Sequence, residues 1–387
     1  MHEGKVFHFI GDRTDKEQYQ KVILQIYENH IKADQYDQFD LVVDFCAYDT
    51  DDMKVTVPVL HERTKLYLYI CTDSTYEACE IIYMHGQEYY KDYIQKHPQG
   101  LTEDLAYLND SLTPKDLMKM KKLDSYGFKK LQAETYLFQQ SKLLNFRALA
   151  LRLPDVLGPY DETQRFWSLL IWLLNADKCP VHIDDLAKTQ KLSFVFSKDV
   201  VKIITGILND QELLDQVSGI YNIGCEEQVT LVEFYEIIWQ IISQRLNKQV
   251  SHQLKEIEEQ GCKKMFPSVS CGPIDIRMGK TALKYNQVSL QECLESTVDF
   301  FLNIKPDQYF KERSDMFQGL PSFLRKQLIQ DCPHDFKQVI DKYLQNKSDK
   351  KDHSSDSSSS DSSDSSQEEK KMDVEEASYS QQSSDQQ

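Results

Sequence analysis

The chain has 387 residues, with 45 Lys and Arg against 62 Asp and Glu, a formal net charge of −17. That balance excludes wrapping duplex nucleic acid, whose phosphates call for a basic surface, and it opposes docking on anionic lipid. Apolar residues make up 40% and aromatics 11%, enough for a sizeable core, and the length suits two to three domains or one large α/β unit with additions.

The segments at the two ends and the cysteines frame the body. No apolar run reaches the roughly 18 residues of a membrane span. The start, MHEGKVFHFIGDR, lacks the pattern of a secretory signal. The nine cysteines include no CxxC pair, which suits buried thiols in a reducing compartment, so the expected location is the cytoplasm. No pair of His has a ligand spacing, and no metal is expected. Residues 347–387 hold 11 acids, 5 lysines and almost nothing apolar, so this stretch is expected to be a disordered acidic tail. Its Ser-Ser-Asp repeats suit acidophilic kinases; the plainer reading is a solubilising tail.

Along the body, short β-rich apolar runs alternate with helical stretches, the pattern of a parallel α/β sheet. Residues 6–10 (VFHFI) read as a strand, 17–30 as a helix, 41–46 (LVVDFC) as a buried strand, and 54–63 as helical despite Pro58. Residues 66–71 (LYLYIC) are the next strand, and 77–120 read as an irregular, polar insertion. A helix over 126–144 precedes a strand over 147–153 (RALALRL) and an apolar helix over 166–175. A short strand at 193–196, a helix over 198–208, a strand at 220–223 and a helix over 231–246 follow. Helices are expected over 280–303 and 321–344. Trp167, Trp172 and Trp239 fall on apolar helix faces and are expected in the core. The lysines of 115–122 (KDLMKMKK) read as a solvated helix face.

Two places carry chemistry. Tyr126 and Lys130, in YGFKK, stand four apart and so share one helix face. An ammonium beside a phenol favours phenolate and lowers its pKa toward useful acid–base range. The second place is ICTDSTY, where Thr72 and Asp73 end a strand, the position at which open α/β sheets put active groups. Thr72 could orient a substrate hydroxyl and Asp73 act as general acid; equally, Thr72 could cap the turn and Asp73 be solvated.

With these residues the sequence resembles the extended short-chain dehydrogenase/reductases, the NAD-dependent epimerase/dehydratase family acting on nucleotide sugars. GDRTD (residues 11–15) resembles the family's adenine-contacting segment, with Asp12 and Arg13. FDLVVDFCAY (39–48) resembles the strand and small-residue turn beneath the cofactor, at Ala47. ICTDSTY and YGFKK supply Thr72, Tyr126 and Lys130. LRLPDVLGPYD (151–161) resembles the strand and Gly-Pro loop after the catalytic helix, with Pro154. SFVFSKDVVKII, YNIGCEEQVTLVEF and the stretch from PIDIRMGKTALKY to TVDFFL resemble later elements.

The resemblance implies a Rossmann-like sheet with a smaller α/β substrate domain. It implies NAD or NADP as cofactor, held by Asp12, Arg13, Ala47, Tyr126, Lys130 and Pro154, with hydride exchange to a nucleotide sugar and Thr72, Asp73, Tyr126 and Lys130 as the catalytic set. The Glu that follows the acid in the dehydratase branch is Ser74 here. The Gly-rich pyrophosphate turn is missing: the only glycines before position 86 are Gly4 and Gly11. The match begins at the family's third strand, so its first β-α-β unit is expected to be absent. With that unit gone, residues 6–10 are expected to pair directly with 41–46, closing a contracted sheet of five to six strands. The expected division is 1–160 as the truncated cofactor-type domain, 161–303 as the remaining sheet elements and substrate domain, 304–346 as a helical extension and 347–387 as the tail. Two functions follow: a nucleotide-sugar enzyme with its Gly segment upstream, or a cofactor-free relative serving as a scaffold or accessory subunit, alone, as a homodimer or in a larger assembly.

Overall fold

A computed structural model describes residues 6–34, 36–161, 165–177, 180–247, 249, 252–256 and 271–303, all within the unit spanning Met1–Gln330. The expected extension at 304–346 and tail at 347–387 lie outside the described residues.

The centre is a four-stranded parallel sheet of β1 (Phe39–Asp44), β2 (Thr64–Thr72), β3 (Ala148–Leu153) and β4 (Gly219–Asn222), in the order β1-β2-β3-β4. Each strand is dominated by apolar residues, as a sheet covered on both faces requires. On one face Leu66, Leu68, Leu149 and Leu151 pack with Ile203 and Ile207 of the helix Ser197–Asn209. On the other, Tyr67, Tyr69, Ala148 and Ala150 pack with Val57 of α2 (Thr50–Leu60) and Leu137 of α4 (Ser125–Leu144). The parallel register sets Cys71 beside Arg152 and Thr72 beside Leu153, so the carboxyl ends of β2 and β3 finish level. Trp167, Trp172 and Trp239 are buried, as their positions predict.

The N-terminal expectation fails. Residues 6–10 form no strand, and among the described residues the sheet has four strands rather than five or six. The rings of Phe7 and Phe9 lie 4.2 and 5.6 Å from His30, and Gly11 packs on Val22 of α1 (Lys16–Ile26), so the segment runs along that helix and its π-helical continuation, Tyr27–Lys32. Ile10 stays 98% exposed. An apolar alternation signals a face to bury but does not name its partner, and here the rings found a helix instead of a ladder.

The stretch 77–120 is also more ordered than expected. It holds helices Glu80–His85, Glu88–Lys96 and α3 (Pro114–Leu123), the last opened by a capping box between Thr113 and Asp116. Tyr76, Tyr90, Leu101 and Leu105 form a core with Ile274 and Ile276. Each helix is short and hides one or two apolar residues among polar ones, which masks its periodicity. The lysines of α3 are exposed, as a solvated face requires.

Candidate active site

At the carboxyl end of β2 the chain turns into a 3-10 helix, Asp73–Glu77. Thr72 caps it, its hydroxyl accepting from the Ser74 amide at 3.2 Å. The same hydroxyl donates toward Asp73 Oδ1 at 3.4 Å and Ser74 Oγ at 3.3 Å. Asp73 is buried, not solvated, and its carboxyl is pushed well above the usual carboxylate range, first by burial and then by the nearby Asp155 and Glu77.

Helix α4 brings Tyr126 to this turn. Asp124 caps the helix through the amides of Tyr126 and Gly127. Gly127 sits so close to β2's end that a Cβ there would lie 2.1 Å from Ser74 O, which is why the second residue of YGFKK has no side chain. Tyr126 is 47% exposed, and its hydroxyl has no hydrogen-bond partner among the described residues. Burial raises its pKa to about 12, with Cys71, Tyr48 and Asp73 adding and Arg165 opposing.

Lys130, one turn further, is 3% exposed. Its Nζ donates to Ala47 O at 2.9 Å and Ile70 O at 2.7 Å and lies 4.3 Å from the Tyr69 ring centroid. The ammonium thus ties the loop after β1 to the end of β2, and burial lowers its pKa. Tyr48 is near both, its ring 6.5 Å from that of Tyr126 and 5.8 Å from Lys130 Nζ.

The remaining expected residues lie around the same sheet edge. Ala47 is buried, held by its amide on Asp44 Oδ1 at 2.8 Å. Arg13 pairs with Asp44 at 3.6 Å and Asp52 at 3.5 Å, yet its Nε and Nη2 are buried without a hydrogen-bond partner. Asp12 is exposed and closes its own turn on Thr14. Pro154 is buried between β3 and the short strand Asp155–Leu157.

Sequence reasoning missed Tyr48, Gly127 and the Asp155–Arg165 pair at 2.7 Å. It also missed a buried network behind the turn. Arg152, fully buried in β3, donates to Glu134 of α4 through Nε at 3.0 Å and Nη2 at 2.6 Å, and to the carbonyls of Glu103 and Ala106, both at 2.8 Å. Tyr76 Oη joins it to Asn222 Oδ1 at 2.9 Å, and the Asn222 amide donates to Glu103 Oε1 at 2.8 Å. An open cavity of about 750 Å³, lined by Glu103, Tyr221, Asp275 and Arg277 among others, includes none of Thr72, Asp73, Tyr126 or Lys130. Among the described residues, no helix is long and apolar enough to cross a membrane.

Comparison with known proteins bears on the fold that carries this arrangement. The family model described as the NAD dependent epimerase/dehydratase family matches residues 108–224, a stretch that holds Tyr126, Lys130, Arg152 and Pro154. No curated protein matches the chain. Among solved structures, a dTDP-glucose 4,6-dehydratase from Bacillus anthracis in complex with NAD is 17% identical, covering 78% of this chain and 81% of that one with a TM-score of 0.50. A UDP-glucose 4-epimerase from Thermotoga maritima with UDP-glucose is 17% identical over 78% and 88%, with a TM-score of 0.48. A UDP-glucuronic acid 4-epimerase from Bacillus cereus in complex with UDP-glucuronic acid and NAD is 20% identical over 66% and 68%, with a TM-score of 0.43. At such identities the likeness is one of fold, and it rests on the first of the three. The chain is therefore similar, through residues 108–224 and its parallel α/β sheet, to the NAD-dependent epimerase/dehydratase family.

Proposed function

We propose that this chain acts on a nucleotide sugar, with Tyr126 moving the proton of a sugar hydroxyl. The observation that carries the reading is the close approach of Gly127 to Ser74, which brings a phenol with an unpartnered hydroxyl to the Thr72–Asp73 turn. The residues present fit a dinucleotide in their donor chemistry. Arg13, ion-paired with Asp44 and Asp52, keeps Nε and Nη2 buried without a hydrogen bond, and Tyr126 offers a hydroxyl with no hydrogen-bond partner among the described residues. Asp12, Arg13, Ala47, Tyr126, Lys130 and Pro154 would hold NAD or NADP, which supplies hydride exchange at a sugar carbon when bound.

The chain's own groups have defined parts in this reading. With its pKa near 12, Tyr126 is a protonated phenol at neutral pH and donates; to serve as base it must first lose that proton. A rate that depends on its phenolate rises about tenfold per pH unit up to that value. Asp73, whose carboxyl burial and then Asp155 push well above the usual carboxylate range, serves as a second proton donor in this reading. Thr72 orients a sugar hydroxyl by exchanging its weak bonds to Asp73 and Ser74 for one to substrate. Lys130 positions Tyr126 by fixing Ala47 and Ile70.

A second reading, a cofactor-free scaffold or accessory subunit, is favoured by Lys130 itself. Two of its donors are already on carbonyls and the charge faces a tyrosine ring, an arrangement that satisfies the ammonium without any ligand. Titration with NADH, followed by fluorescence, separates the two. Micromolar binding, together with a turnover of UDP-glucose that Tyr126→Phe lowers by about 10²–10⁴-fold, supports the enzyme. Absence of both supports the scaffold.

A further inference from the structure

The open cavity of about 750 Å³ beside β4 includes no residue of the Thr72–Tyr126 turn, and three segments tied to Asn222 build its wall. The Asn222 amide donates to Glu103 Oε1 at 2.8 Å, which fixes the 3-10 turn Glu103–Leu105. Asn222 Nδ2 donates to Leu101 O at 3.0 Å and to Asp275 O at 3.2 Å, and Leu101 forms a parallel bridge with Ile274. Gly279, in the helix Arg277–Ala282, lies so close that a Cβ there would stand 2.4 Å from Asn222 O. Asn222 is fully buried, so these ties hold the cavity in shape before any ligand enters.

The charges on this wall differ in what they meet. Asp275 is fully engaged by Arg277, which donates to Oδ1 from its backbone amide and Nε, each at 3.0 Å, and to Oδ2 from Nη2 at 2.6 Å. The Arg277 charge is spent on that pair. Glu103 is 9% exposed, and only its Oε1 is used. Its Oε2 has no hydrogen-bond partner among the described residues. Sealed polar atoms without a partner belong there to Arg13 and Arg63, so Glu103 Oε2 opens onto the cavity that Glu103 lines. Asp104, the next lining residue, is exposed and has no ion pair among the described residues. Burial strips water from the Glu103 carboxyl and raises its pKa, and an ammonium against Oε2 would return the interaction that water no longer gives. The Tyr221 ring, pinned by its hydroxyl on Ser218 O at 2.9 Å, and the side chains of Met278 and Ala282 add an apolar wall beside the acids. We propose that this cavity binds an alkylammonium, an apolar chain ending in a protonated amine, with the charge on Glu103 and Asp104 and the chain along Tyr221 and Met278. The inference does not depend on the nucleotide-sugar reading.

Isothermal titration calorimetry of the 387-residue chain with hexylamine, set against 1-hexanol and hexanoate, tests it. Hexylamine is expected to bind saturably at about millimolar affinity or tighter, and the neutral and anionic chains are expected not to bind. Glu103→Gln keeps an oxygen for the Asn222 amide but loses the charge, and is expected to weaken binding by about tenfold or more. Asp104→Asn, at an exposed position, is expected to weaken it by about twofold to fivefold. Thr281→Trp, also exposed and on the cavity wall, fills the opening and is expected to abolish binding, which keeps the test decisive if Glu103→Gln does not fold. Nα-acetyllysinamide distinguishes the source of the amine within the proposal: binding like that of hexylamine assigns the cavity to a lysine side chain, and no binding assigns it to a free amine. A parent chain that does not bind hexylamine, or binds 1-hexanol equally well, overturns the proposal. Folded Glu103→Gln and Thr281→Trp chains that bind hexylamine like the parent overturn it too.

Discussion

Two clusters of charge share the carboxyl ends of β2 and β3, and they are built to opposite rules. Around Arg152 every guanidinium edge meets an acceptor: the Glu134 carboxylate, the carbonyls of Glu103 and Ala106 and the Tyr76 hydroxyl. Around Tyr126 the groups are left short. Its hydroxyl has no partner among the described residues, and Asp73 is buried beside Asp155. Saturated buried networks fix a structure, whereas perturbed and under-partnered titratable groups in one place mark a site for a ligand. The first cluster holds the 101–106 loop against β3 and β4; the second is what that frame leaves open. Lys130 belongs to the first kind by its bonds and to the second by its position.

The sharpest way to break the contrast is Arg152→Ala. It strands Glu134, which is 2% exposed, and frees two loop carbonyls. Breaking a buried pair from one side costs about 3–5 kcal/mol, so chemical denaturation should show a loss of that size. A smaller loss that left the chain folded would mean that the network is not the frame. Gly127→Ala is next. The new methyl would meet Ser74 O at 2.1 Å and Asp124 Oδ2 at 2.6 Å, so the start of α4 must move. Overpacking of this kind costs about 1–3 kcal/mol. Because Tyr126 is the adjacent residue, any turnover should fall with the stability. Unchanged stability would show that the close approach does not set the position of Tyr126.

The difference between the clusters also explains what could be read without coordinates. Thr72, Tyr126 and Lys130 were legible because each sits in a local signal, a strand end or a one-turn spacing on a helix. The four sheet strands were legible because LVVDFC, LYLYIC, RALALRL and the short run at 220–223 are short segments dominated by apolar residues. Arg152 was not, because within RALALRL it reads as a polar break, and its partner Glu134 lies 18 positions away on another element. Tyr48 and Asp155 are single residues in loops, placed only by the sheet's register. Residues 6–10 misled because hydrophobicity does not choose between a ladder and a helix surface. The helices within 77–120 hid because each is about two turns long and shows no full period.

The smallest effect is the most specific to the under-partnered cluster. The folded chain keeps the Asp73 proton to higher pH than the unfolded chain does, because burial and two neighbouring acids raise its pKa above the ordinary 3.8. The unfolded chain releases that proton at lower pH, so above about 3.8 the unfolded state binds fewer protons than the folded one. Stability from this group is therefore complete in acid and declines as pH rises toward the folded-state pKa. Asp73→Asn keeps the shape and removes the proton. It should flatten that decline, leaving the variant level with the parent near pH 4 and more heat-stable than the parent at pH 8, as melting temperatures across this range would show. A variant less stable than the parent at pH 8 would mean that the carboxylate is ionised and paired in the fold, and Asp73 would then belong with Arg152 among the groups that hold the structure together.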